Sequence, residues 1–158
     1  MLRDRLTTDL KEAVKAKDAT RISTLRLILA AVKDRDIAVR TGENAVRTGE
    51  NAAGVGDAEI IVILAKMVRQ RAESAAAYEE AGRLELAARE REEIRIIKGY
   101  LPKQMSEGEV DRAIETAIRD VGATSIRDMG RIMAWLKARH TGRMDFAKAG
   151  AAIKNALR

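Results

Sequence analysis

Pro102 is the chain's one proline, and it follows Gly99-Tyr100-Leu101 in a sequence that otherwise repeats its apolar residues every three or four positions. A proline has no N–H to donate and its ring clashes with the preceding turn, so no helix continues through it. The chain must therefore build one set of helices before residue 102 and another after it. No stretch alternates with period two for long enough to make a strand. Ala, Leu, Glu, Lys and Arg make up more than half of the 158 residues, the composition of a helical protein.

The periodicity gives about seven helices. Leu2, Leu6, Leu10, Ala13 and Val14 mark an amphipathic helix over 2–17. Asp18 or Thr20 caps a second, with Ile22, Leu25, Ile28, Leu29 and Val32 inward and the pattern fading near Ile37. Then VRTGENA, Val39 to Ala45, is repeated letter for letter from Val46 to Ala52. Each copy holds Gly and Asn and one large apolar residue, so it cannot sustain a coiled-coil seam. An expanded, flexible loop over 40–56 is expected, ending in Gly54-Val55-Gly56. Asp57 is expected to cap a third helix carrying Ile60, Ile63, Leu64, Met67, Ala75 and Tyr78, broken at Ala81-Gly82. A fourth runs from about Leu84 to Lys98, where Gly99 is expected to end it with a positive φ. Its Arg89-Glu90-Arg91-Glu92-Glu93 run alternates sign along a helix, which suits solvated ion pairing better than acid–base catalysis.

Beyond Pro102, Ser106 with Glu109 forms a capping box for a fifth helix, with Val110, Ile114, Ala117, Ile118 and Val121 inward and Gly122 as its stop. Ser125 with Asp128 opens a sixth. Ile126, Met129, Ile132, Met133 and Leu136 form its inner side, with Gly130 at the edge letting a neighbouring helix close in. Asp145 caps a last helix, Phe146 to Leu157, whose Ala and Gly residues allow close packing. The expected fold class is thus all-α, with a four-helix N-terminal subdomain over 1–101 and a basic three-helix C-terminal subdomain over 102–158.

Chemistry is constrained mainly by what is missing. With no cysteine and one histidine, there is no disulfide, no Cys-ligated metal, no thiol nucleophile and no His-pair site. None of Ser23, Ser74, Ser106 and Ser125 sits in a nucleophile elbow. Gly54-Val55-Gly56 lacks the lysine and the strand–helix context of a phosphate loop. His140, at a helix end, suits a cation that answers the helix dipole. No catalytic residue, metal site or cofactor is expected. The charged start and the six-residue apolar runs Leu27–Val32 and Ile60–Ala65 hold neither a signal peptide nor a membrane span. A cytoplasmic protein without a membrane role is expected.

The net charge of +6 is uneven: residues 121–158 carry eight bases against Asp128 and Asp145, while the rest of the chain cancels. A one-sided basic region suits a polyanion such as nucleic acid; a solvated helical surface would look the same. On the sixth helix Arg127 and Arg131 point away from the apolar side, and Trp135 lies one turn beyond Arg131. Arg beside an aromatic suits stacking on an unpaired base; the alternative is that the last helix folds over Trp135.

Six segments carry a family resemblance. They are Arg21-Ile22-Ser23-Thr24-Leu25-Arg26, Arg71-Ala72-Glu73-Ser74 leading to Tyr78, Ala81-Gly82-Arg83-Leu84-Glu85-Leu86-Ala87, Tyr100-Leu101-Pro102-Lys103-Gln104, Asp128-Met129-Gly130-Arg131-Ile132-Met133 and Thr141-Gly142-Arg143-Met144-Asp145. In this order they resemble the GatB/YqeY family in its free-standing, YqeY-like form. Ala138, Phe146 and the duplicated loop depart from its pattern.

The resemblance implies an all-helical fold in two subdomains and kinship with the tail of the B subunit of tRNA-dependent amidotransferases, which touches tRNA. It implies tRNA or other RNA as a partner, with an amidotransferase or synthetase as a possible protein partner. Charge and resemblance together single out Arg127, Arg131, Lys137, Arg139, Arg143 and Lys148 as phosphate-contacting cations. The leading expectation is an RNA-contacting accessory module. A glutamine-dependent carbon–nitrogen ligase and a protein-docking adaptor are the alternatives.

Overall fold

A computed structural model describes residues 1–41 and 54–157. Among them are seven α-helices and no strand: α1 (Leu2–Ala16), α2 (Ala19–Thr41), α3 (Asp57–Glu80), α4 (Leu84–Lys98), α5 (Glu107–Val121), α6 (Met129–His140) and α7 (Phe146–Ala156). The fold is all-α, as the periodicity requires. Two units make up the chain, Met1–Tyr100 and Leu101–Arg158.

In the first unit α1 and α2 form one helical hairpin and α3 and α4 another. Lys17 turns the first corner in the left-handed conformation at φ 55, and the side chain of Asp18 accepts the Arg21 N–H at 3.2 Å, so Asp18 caps α2. Gly82, at φ +72, turns the second corner. Leu6, Leu25, Ile28, Ile60, Leu64 and Ile97 are fully buried between the helices. Thr24 is buried with them, its hydroxyl satisfied by the Thr20 carbonyl at 2.8 Å.

Several local expectations change. Gly56 is the N-cap of α3, and the Asp57 carboxylate instead accepts the Leu2 N–H at 3.1 Å, serving the start of α1. Gly99 lies in the right-handed helical region at φ −60, not at positive φ. Both α1 and α2 differ at their apolar faces or ends: Val14 is exposed, and α2 runs on through Arg40 and Thr41, into the expected loop. The rest of the VRTGENA duplication falls within residues 42–53, outside the described residues.

At the other end of that segment the chain is firmly held. Arg3 of α1 donates from both terminal nitrogens to Asp36 of α2, at 2.8 and 2.9 Å. Asp36 Oδ1 also accepts the Val55 N–H at 2.8 Å, and Arg3 reaches the Val55 carbonyl at 3.1 Å. Val55 is buried. The Arg3 hydrogen bonds, with the Val55 N–H, hold the Asp36 carboxyl below the usual carboxylate range despite its burial.

The acidic run of α4 is ion-paired, largely across the hairpin. Glu93 accepts from Arg71 of α3 at 2.8 Å, Arg91 binds Glu79 of α3, and Glu92 takes Arg95. Helix α4 ends against Tyr100, which is buried and donates its hydroxyl to Asp9. Arg21 donates to the Tyr100 oxygen at 3.3 Å, and the Arg5 guanidinium lies 4.7 Å from the ring centre. Burial and the neighbouring Asp9 carboxylate push the phenol up to about 12.

In the second unit Ile114 and Ala117 of α5, Ile132 and Leu136 of α6, and Ala149 and Ile153 of α7 form a buried core. The Ser106–Glu109 capping box is present, and Gly122 closes α5 at φ 65. The Ser125–Asp128 box is present too, but it opens a 3-10 turn, Ile126–Asp128, and α6 begins only at Met129. That early tight turn swings Ile126 out of the apolar face, leaving it 49 % exposed. Asp145 caps α7 through the Ala147 and Lys148 N–H groups.

Gly54 supplies a stability test. Its φ is +90, and an added Cβ would lie 2.7 Å from both Arg3 Nη2 and Asp36 Oδ1, whereas one at Gly56 would meet nothing within 4 Å. Gly54→Ala is expected to cost on the order of 2 kcal/mol and Gly56→Ala less than about 0.5 kcal/mol, read by chemical denaturation.

Candidate nucleic-acid interface

The six cations singled out from the sequence all lie in the second unit, in three distinct settings. Arg127 and Lys148 are exposed and make no ion pair among the described residues. Lys137 and Arg139 lie over aromatic rings: Lys137 Nζ is 5.9 Å from the centre of Phe146, and the Arg139 guanidinium carbon 4.1 Å from the centre of Trp135. Arg131 and Arg143 are drawn into internal bonds. Arg131 pairs with Asp128 at 3.2 Å and donates to the Val121 carbonyl. Arg143 donates to the Lys103 carbonyl at 3.1 Å and approaches Glu109 at 3.9 Å.

Arg143 belongs to a tie between two loops. The Met105 N–H donates to the Arg143 carbonyl at 2.9 Å, and the Gln104 side chain donates to the Gly142 carbonyl at 2.6 Å. The segment around Pro102 and the turn after α6, widely separated in sequence, are thereby joined. Gly142 makes that turn possible at φ 78.

The two acidic residues of this basic stretch leave its cations largely uncompensated. Asp128 accepts the Thr124 and Ser125 N–H groups at 2.9 and 3.3 Å, and these bonds, reinforced by Arg131, hold its carboxyl low. Asp145 is occupied with the start of α7.

At 100° per residue Arg131, Trp135 and Arg139 share one stripe of α6, each 40° from the next. Trp135 is partly buried and packs on the core of the unit. Arg139 also donates to the Trp135 carbonyl at 3.2 Å, and the His140 ring is tilted against the indole at 6.2 Å between centres. His140 does not play the cationic role expected at a helix end. Its Nδ1 is buried without a hydrogen-bond partner, and burial, then Arg143 and Arg139, push its pKa down. The imidazole is therefore neutral near pH 7.

The opposite flank of α6 carries a feature the sequence reading missed. A groove of about 400 Å³ is lined by Met129, Met133, Phe146, Ala147, Gly150, Ala151 and Lys154. A Cβ on Gly130 or Gly150 would meet nothing within 4 Å. Gly130 and Gly150 thus leave open space, while Ala149 packs closely in the core as expected. The signal was the run of Ala and Gly in α7, which suits an open groove as well as a packed one.

No group of three or more His, Cys, Asp or Glu gathers among the described residues. No described helix is long and apolar enough to cross a membrane.

These features define an all-helical protein whose second unit carries an excess of cations around α6 and α7. A model of the family described as Yqey-like protein matches residues 3–157, and the chain belongs to that family. Among curated relatives, altered inheritance of mitochondria protein 41, mitochondrial, of Vanderwaltozyma polyspora is 26 % identical over 136 residues, 82 % of this chain and 68 % of the relative. The protein of the same name from Lachancea thermotolerans is 28 % identical over 118 residues, 73 % of this chain and 57 % of the relative. That from Eremothecium gossypii is 31 % identical over 96 residues, 61 % and 46 % respectively. The chain thus spans roughly half to two thirds of their length. Their names place those relatives in mitochondria, which does not fit the plain cytoplasmic location expected from the sequence.

The His140 environment predicts a pH dependence. Its folded pKa lies below its unfolded value of about 6.5, so the unfolded chain binds the extra proton first. The full stability contribution is present above that pH and is lost as pH falls toward the folded pKa. Denaturation midpoints should fall between pH 7.5 and pH 5.5, and His140→Gln should flatten that fall. The low-lying carboxyls of Asp36, Glu109 and Asp128 titrate at more acid pH and leave this window clear.

Proposed function

We propose that this protein is an RNA-contacting accessory module that binds phosphates through the cations of its second unit, with tRNA as the leading candidate. The observation that carries this reading is the excess of cations over carboxylates in residues 121–158. The whole net charge of +6 falls in residues 121–158, and the two carboxylates there are tied up in helix starts and in the Arg131 pair. Membership of the YqeY-like family supports it through the kinship with amidotransferase B-subunit tails that the sequence motifs imply. An amidotransferase or synthetase is the protein partner this reading favours.

Within the expected set this reading assigns two roles. On this reading phosphate is met by Arg127, Lys137, Arg139 and Lys148, all exposed. Arg131 and Arg143 mainly hold the unit together, through Val121 and Lys103, and contribute field. Contacts of this kind position nucleic acid without reading sequence. A protein-docking adaptor is the second reading, favoured by the apolar groove between α6 and α7.

Neutralising about four phosphates gives a log K against log salt slope near −3. Arg127→Glu with Lys148→Glu should weaken tRNA binding severely and shrink that slope by about 2. The control is Arg26→Glu with Lys33→Glu, on the exposed surface of α2, which should leave both nearly unchanged. Arg3 and Arg5 would not serve, since they hold Asp36 and cover Tyr100. Equal loss in both pairs would mean diffuse attraction instead of a site. Absence of tRNA binding at low salt would favour the adaptor.

A further inference from the structure

Arg139 is an unusual phosphate contact because it is held in place. Its guanidinium lies over the Trp135 ring at 4.1 Å and is tethered by the 3.2 Å bond to the Trp135 carbonyl. Trp135 is itself held, packed on the core of the second unit and flanked by His140. A phosphate would be served by any mobile cation, and Lys148 is one. A planar cation backed by an indole offers a second, flat, preorganised face, and Arg139 as a residue is exposed.

We propose that the guanidinium face of Arg139 turned away from Trp135 is a stacking platform for an unpaired RNA base. This rests on the RNA reading above and narrows its ligand: RNA with unstacked, single-stranded bases, not regular duplex, whose bases are already stacked on one another. Nucleobases stack on arginine planes as they do on aromatic rings, and every base has such a face, so the platform accepts bases without reading their identity. Arg serves here and Lys does not, because only the guanidinium is flat.

The test uses the full chain with two 12-mers of equal phosphate number, one of uridine and one with abasic sugars. Binding is followed by anisotropy of the labelled oligonucleotide and by the emission of Trp135, the chain's only tryptophan. The wild type should prefer the uridine 12-mer by about tenfold, and that ligand alone should change Trp135 emission. Arg139→Lys should keep the charge and the salt slope but abolish most of the preference. A cation–π contact serving only the fold would be indifferent to bases. Equal binding of both 12-mers by the wild type, with equal salt slopes, would overturn the platform and leave the phosphate reading standing. An Arg139→Lys variant that retains the full preference would also overturn it. Failure of both 12-mers to bind at low salt would remove the RNA reading and the platform together.

Discussion

Asp36 stands where three segments must be joined in a chain with no cysteine and only 3 % aromatic residues. It sits on α2, takes both terminal nitrogens of Arg3 from α1, and accepts the Val55 N–H from the approach to α3. A two-pronged arginine–carboxylate contact fixes direction as well as distance. The apolar core of the first unit is built from Leu, Ile, Val and Ala, whose smooth surfaces drive association but tolerate sliding. The clasp removes that freedom: it sets the start of α1 against α2 and seats Val55 in the core. Only glycine fits at position 54 beside it, because the pair occupies the space a Cβ would need.

The same device recurs where helices must be indexed. Arg71 meets Glu93 across the α3–α4 hairpin with both side chains largely covered, and Asp9, Arg21 and Arg5 close around Tyr100. In the second unit Gln104 and Arg143 tie the Pro102 segment to the turn after α6. Arg21, Arg71, Tyr100, Gln104, Asp128, Arg131 and Arg143 are also residues of the segments that carry the family resemblance. Those motifs therefore describe chiefly how the fold is held together. The match to the YqeY-like family over residues 3–157 therefore reflects these ties at least as much as any surface.

This explains what could be read from the sequence. Helix number and class are local properties, set by periodicity and capping, so α4 falls on Leu84–Lys98 and the Ser106–Glu109 box opens α5. Bonds between distant segments are invisible at that level. Asp57 has the spacing of a cap for α3 yet serves Leu2, more than fifty residues earlier. Gly99 looks like a left-handed stop, but the chain turns with right-handed geometry into a Tyr100 already anchored on Asp9. Ile126 fits the apolar stripe at 100° per residue and misses it because the turn there is 3-10. For the candidate interface, residue type and charge placed all six cations in one unit. Which of them are tied to Val121, Lys103, Trp135 or Phe146 depends on the tertiary fold.

The electrostatics of residues 121–158 follow from how their two acids are used. A helix N-terminus attracts a carboxylate and a C-terminus attracts a cation. Asp128 stands at the N-cap of α6 and Asp145 at that of α7, and Lys137 and Arg139 lie in the last turn of α6. Each charge thus stabilises the end of the helix where it sits, and the acids, bound to backbone N–H groups, have limited capacity left for the bases. His140, at the same C-terminus, does not add a third cation, because burial and the two neighbouring arginines keep it neutral. The excess of bases over acids in residues 121–158 is in this way compatible with well-capped helices. It survives folding because the dipoles that hold the acids at one end of a helix favour the bases at the other.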